Sequence, residues 1–177
     1  MRTVARVLVA VSAVIVLGLL AIQYGWLDGI TQAPAPAAAP AAASGIPSDA
    51  TEAVVEYVHD GDTLFLEDGR KVRMLGINTP EIGENLECYG DEATAVLRGL
   101  LPEGSHVWVQ QDVEPLDQYG RSLLFVWTSA GELVNYSLVQ GGYAEAVFIG
   151  QNTRWDNEFE GVEEAAQDAG AGIWGAC

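Results

Sequence analysis

Lysine is almost missing from this chain. Lys71 is the only one in 177 residues, and seven arginines complete the basic set against 25 acidic side chains. The formal net charge is −17 at pH 7. So acidic a balance argues against broad, non-specific attraction to nucleic acid. It fits a protein working at high salt, where the Debye length shrinks to ~3 Å at 1 M and self-repulsion is screened; an ordinary acidic secreted protein is the plainer alternative. Histidine and cysteine are as scarce: His59, His106, Cys88 and Cys177 are all there are, and they offer no zinc-ligand spacing. No serine or cysteine is set up as a nucleophile, which leaves direct attack by water as the economical chemistry. There is no internal repeat.

The first 28 residues do not look globular. Arg2 and Arg6 precede an uncharged stretch from Val7 to Ile22, and the next charge is Asp28. This reads as a signal peptide or a single membrane anchor. A spanning helix needs ~20 apolar residues, which Val4 to Leu27 supply, and no small-residue cleavage site lies close behind the run. An uncleaved anchor with its N-terminus inside is therefore favoured. Residues 29–50 form a Pro/Ala-rich, semi-rigid linker. Residues 51–177 form one domain that holds six basic and twenty-three acidic side chains. The expected location is extracytoplasmic, membrane-anchored through the N-terminal apolar helix, with secretion as the alternative, and the expected state is a monomer. Two cysteines on such a domain suggest one Cys88–Cys177 disulfide, with two free thiols as the alternative.

Within the domain, apolar alternation predicts strands at 54–58, 63–67, 71–76, 106–110 and 122–127. Asp68-Gly69 is a hairpin signal. Helical spacing covers Asp91 to Leu101, Glu132 to Gln140, and a stretch opening at Thr153, where Thr-Arg-Trp-Asp resembles a capping box. Five strands with about three helices suit an α+β domain built on a small antiparallel barrel, the OB-type barrel being the leading member.

Candidate chemistry concentrates in four short stretches. His59-Asp60-Gly61-Asp62-Thr63 places two carboxylates two residues apart, a spacing that on a strand end shares one face. Asn78-Thr79-Pro80-Glu81 puts a third on a turn fixed by proline. Arg73 lies on a strand with Val72 and Met74 on the opposite, core-facing side, and Arg121 follows Asp117-Gln118-Tyr119-Gly120. Carboxylate oxygens hold a hard divalent cation, a free glutamate can act as base toward water, and guanidinium forks match phosphate oxygens. Arg70 and Lys71 would add positive charge beside the same site. Tyr119 is expected to pack with some site contact, His59 to be structural or exposed, and Trp108, Trp127, Trp155 and Trp174 to be core.

These stretches resemble the thermonuclease (micrococcal nuclease-like) family. The resemblance runs in order through Val58–Thr63, Val72–Glu81, Tyr89–Ala93, Asp117–Arg121, Leu133–Ala144 and Gly172–Trp174. It implies an OB-fold nuclease that uses Ca²⁺ to cleave DNA and RNA, leaving 3′-phosphates. Asp62 would then bind the metal directly, Asp60 through water, and Thr79 through its carbonyl. Glu81 would activate water, while Arg73 and Arg121 grip the phosphate. Two positions depart from the family pattern. Asn78 stands where a second metal-binding aspartate is usual, which implies weaker Ca²⁺ binding or altered metal preference. Phe148 and Gly150 stand near positions where tyrosines can stack on bases; Phe148 can stack but carries no hydroxyl, and Lys71 and Tyr119 would complete the substrate contacts. The alternatives are a catalytically weak or silent OB-fold module binding nucleic acid or protein, and a tethered structural domain.

Overall fold

The computed structural model describes residues 45–177. The expected anchor and most of the linker lie outside them, and among the described residues no helix is long and apolar enough to cross a membrane. The end of the linker lies against the domain: the Gly45 amide donates to Gly131 O, and Asp49 Oδ1 accepts from Gln110 Nε2.

Among the described residues seven strands form: β1 (Thr51–Val58), β2 (Thr63–Leu66), β3 (Lys71–Met74), β4 (Ile77–Asn78), β5 (His106–Gln110), β6 (Ser122–Thr128) and β7 (Glu145–Ala146). Five of them close a barrel in the order β1-β2-β3-β6-β5. All pairs are antiparallel except one. β3 runs parallel to β6, with Val72 opposite Ser122 and Arg73 opposite Leu123, which corrects the expected all-antiparallel barrel. A parallel neighbour requires a crossover; here the chain between them supplies helix α1 (Gly90–Leu100) and β5. Between Val55 and Tyr57 the β1–β2 register slips, so Glu56 is an extra residue that adds the bend and twist a small barrel needs.

The barrel interior is filled by alternate residues of each strand, among them Val55, Leu64, Leu66, Val72, Met74, Val107 and Val109, all at or near zero exposure. β6 is buried from Ser122 to Trp127, because helices α2 (Val134–Gln140) and α3 (Asp156–Asp168) cover the side of the barrel. Phe125, Trp127, Trp155 and Phe159 meet edge-on at centroid distances of 6.2–6.5 Å. The last helix, α4 (Ile173–Ala176), ends at Cys177, which bridges to Cys88 across 89 residues of sequence.

Two local expectations fail. The stretch at Thr153 is no capping box: the N-cap of α3 is Trp155, with no side-chain cap bond, and only backbone joins Asp156 N–H to Thr153 O. Tyr119 is 76% exposed rather than packed.

Candidate active site

The turn from β1 into β2 carries Asp60 and Asp62. They are not on a strand end, so the shared-face reasoning does not apply. The Asp62 amide donates to Asp60 Oδ1 at 3.1 Å, a side-chain-closed turn that both residue types favour. Gly61 sits between them because Thr79 crowds its α-carbon: an added Cβ would lie 2.6 Å from Thr79 Oγ1. That approach lets the Thr79 amide donate to Asp62 Oδ2 at 3.2 Å, while the Thr63 hydroxyl donates to Oδ1 at 3.1 Å. Asp62 is 7% exposed.

Arg73 is buried, not facing solvent as strand alternation suggested; it is 9% exposed. The chain folds over it after β3. Its Nη1 donates to the carbonyls of Met74 (2.8 Å) and Ile77 (2.7 Å), and Nη2 donates to Asn78 Oδ1 at 3.1 Å. Nη2 also pairs with Asp62 Oδ2 at 3.2 Å. The two-residue ladder β4–β7, Ile77 with Ala146 and Asn78 with Glu145, fixes this turn. Asn135, fully buried at the start of α2, ties the β3 end to β6 by donating to Leu75 O (2.8 Å) and accepting from the Val126 amide (2.9 Å).

Arg121 approaches from the loop before β6. Asp117 holds it twice, through the Arg121 amide (2.9 Å) and Nε (2.6 Å), and the Tyr119 ring lies 5.6 Å from the guanidinium carbon. The parallel β3–β6 ladder places Arg73 and Arg121 at the same end of the barrel. Together these residues line one cavity of about 310 Å³: Asp60, Asp62, Thr63, Arg73, Asn78, Glu81 and Arg121, joined by His59 and Lys71. One other expectation comes out differently. Arg70 is drawn away by Asp68 (2.7 Å) and lines a separate cavity with Asp49 and Gln110. Phe148 is 60% exposed and is not among the lining residues; nor are Thr79 and Tyr119. His59 is exposed, as expected, but at the cavity rim.

The charges inside are uncomfortable. Burial, reinforced by the Asp60 carboxylate, pushes the Asp62 carboxyl above its ordinary range, against the opposing pull of Arg73 and the Thr79 and Thr63 hydrogen bonds. Burial, with Arg121 nearby, likewise lowers the proton affinity of Arg73, against Asp62, Asp60 and Glu81; a guanidinium nevertheless keeps its proton. The pair therefore returns less than desolvation takes. Among the described residues no group of three or more His, Cys, Asp or Glu side chains is placed to hold a metal ion. What converges instead is an all-oxygen set, two carboxylates plus the Asn78 amide oxygen, the donor chemistry of a hard cation.

A five-stranded closed barrel with three longer helices, carrying acids and arginines in one surface cavity, is an OB-fold α+β domain. The model of the staphylococcal nuclease homologue family matches residues 71–176, and the chain belongs to that family. It is 33% identical over 127 residues to the thermonuclease of Staphylococcus intermedius, covering 68% of this chain and 74% of that protein. Against the thermonuclease of Staphylococcus hyicus it is 31% identical over 135 residues, covering 72% of this chain and 79% of that protein. Endonuclease YhcR of Bacillus subtilis matches at 33% over 137 residues, which is 70% of this chain and 11% of that protein.

Proposed function

We propose that this protein is an extracytoplasmic, metal-dependent nuclease that hydrolyses phosphodiester bonds of DNA and/or RNA and leaves 3′-phosphates. The observation that carries the proposal is the convergence of Asp60, Asp62, Arg73, Glu81 and Arg121 on one cavity. Glu81, exposed and free of a side-chain ion pair among the described contacts, takes the proton of the attacking water. The water oxygen forms the new bond to phosphorus as the bond to the 5′-oxygen breaks, the 5′-oxygen takes a proton from solvent water to leave as a hydroxyl, and the guanidinium groups of Arg73 and Arg121 take up the charge on the phosphoryl oxygens. Asp62 and Asp60, with Asn78 and the Thr79 carbonyl, hold the cation, for which Ca²⁺ is the leading candidate. Bound there, a divalent cation supplies charge for a phosphate oxygen and orientation for the water. Support for the extracytoplasmic location comes from the Cys88–Cys177 bridge and from the apolar segment before Asp28.

A second reading has its own observation. Arg73 Nη2 is engaged by Asn78 and Asp62, and one metal-ligand charge is missing at Asn78. A silent binding module would look the same. The test is cleavage of single-stranded DNA and of RNA by the purified protein with Ca²⁺, Mg²⁺ or Mn²⁺, at low and multimolar salt. Chelation should abolish turnover, and Glu81→Gln or Arg121→Ala should slow it by at least ~10²-fold. Asn78→Asp should raise Ca²⁺-dependent cleavage. Unaltered rates in both Glu81→Gln and Arg121→Ala would end the catalytic reading. Inert wild-type and Asn78→Asp proteins that still bind oligonucleotide would establish the module instead.

A further inference from the structure

Glu81 stands on an exposed loop, and its side chain has no hydrogen bond or ion pair among the described residues. It is exposed, and the 3₁₀ turn that follows, Gly83–Asn85, buries no residue. A water-activating base held so loosely would lose rate, because displacement by ~1 Å can cost ~10²-fold. Something else must fix it, and one residue does so from both sides. The Glu81 amide donates to Glu87 Oε2 at 3.0 Å, and the Glu87 amide donates to Glu81 O at 2.9 Å. The segment 81–87 is thus a closed loop whose two ends grip each other.

The Glu87 end of that loop is anchored three ways. Its carbonyl accepts from the Gly90 amide at 3.1 Å, where α1 begins. Gly90 lies so close beneath the Glu81 carbonyl that any Cβ there would collide with it. Cys88 is bonded to Cys177, at the end of α4. Tyr89 adopts a left-handed backbone (φ 73°) and stacks on Tyr143 with centroids 5.8 Å apart. A non-glycine residue in that conformation is held there by its surroundings.

We infer that Glu87 is a positioning residue for Glu81, acting through the Glu81 backbone, with the disulfide and the start of α1 holding Glu87 in place. The inference rests on the proposed role of Glu81. Glu87 does not line the cavity, so what it contributes is an acceptor for one amide, which an uncharged glutamine oxygen also provides.

The test is steady-state cleavage of single-stranded DNA by the full chain at saturating divalent cation, with thermal melts of every variant. Glu87→Ala should lower kcat about tenfold with KM unchanged, and Glu87→Gln should restore kcat to within about twofold. Gly90→Ala, which displaces the Glu81 carbonyl from the other side, should lower kcat in the same way without touching the Glu87 side chain. Undiminished kcat in Glu87→Ala overturns the inference, and so does a glutamine variant as slow as the alanine one, or a loss carried by KM. Glu81→Gln separates the two claims. If it is slow while Glu87→Ala is not, only the positioning role fails; if Glu81→Gln is itself fully active, the assignment of Glu81 fails and takes this inference with it.

Discussion

The cavity has two walls made in different ways. The inner wall, Asp62, Thr63 and Arg73, belongs to the barrel: its side chains are buried, and Asp62 and Arg73 each meet several partners. The outer wall, Asn78 at the end of β4 with Glu81 and Arg121 on loops, is exposed or half-buried. The inner wall is therefore fixed by folding itself. The outer wall is fixed by a few local clasps, Asp117 on Arg121 and Glu87 on Glu81. Binding charge and aligning water are separable tasks in such a site, and damage to one wall should read differently from damage to the other.

The largest difference should come from the inner wall. Arg73→Ala leaves Asp62 buried without its ion partner and two carbonyls without their donor. Unfolding free energy should fall by about 3–5 kcal/mol, measured by urea denaturation, together with loss of cleavage. Arg121→Ala, on the outer wall, should slow cleavage while leaving that free energy within about 0.5 kcal/mol. Equal stability losses in the two variants would erase the distinction between the walls.

Next in size is the covalent tether. Cys88→Ala with Cys177→Ala removes a loop-closing bond and should cost about 2–4 kcal/mol in the same assay. Its catalytic effect should fall on kcat, through the Glu81 loop, and not on cation affinity measured by calorimetry. A shift confined to cation affinity would put the tether on the wrong wall.

The smallest effect concerns pH. The folded-state pKa of Asp62 is raised, chiefly by burial. Its stabilising contribution is then fully present below the unfolded value and is lost as pH rises through the folded one. Wild type should therefore lose stability relative to Asp62→Asn as pH rises above the ordinary carboxylate range in the absence of divalent cation, and added Ca²⁺ should reverse the loss. Cleavage runs the other way, failing as acid discharges the same carboxylate. Parallel stability curves for the two proteins would show that Asp62 is not strained by its surroundings.

Most of the architecture was legible in the sequence, because five strands and three helices carry clear periodicity and their turns carry glycine, proline and Asp-Gly signals. The convergence of Asp62, Glu81, Arg73 and Arg121 was legible only as ordered motifs. The burial of Arg73 was not. Alternation correctly placed it opposite Val72 and Met74, but the two-residue strands β4 and β7 that roof it are too short to show any period. The parallel β3–β6 pair left no local mark either, since its partners are separated by about fifty residues and register in such a pair is set by packing. Likewise, the turn joining Asp60 to Asp62 could not be told from a strand end, because Asp-Gly-Asp suits both.

The position of the disulfide has a mechanical consequence. Because it joins Cys88 to Cys177, tension applied between Gly45 and Cys177 can draw out only the segment ahead of Cys88. From Gly45 that is about 150 Å of extended chain, against roughly 450 Å if the bond were open. Pulled between those two points, the domain keeps α1, β5, β6 and the remaining helices inside a loop that pulling cannot lengthen.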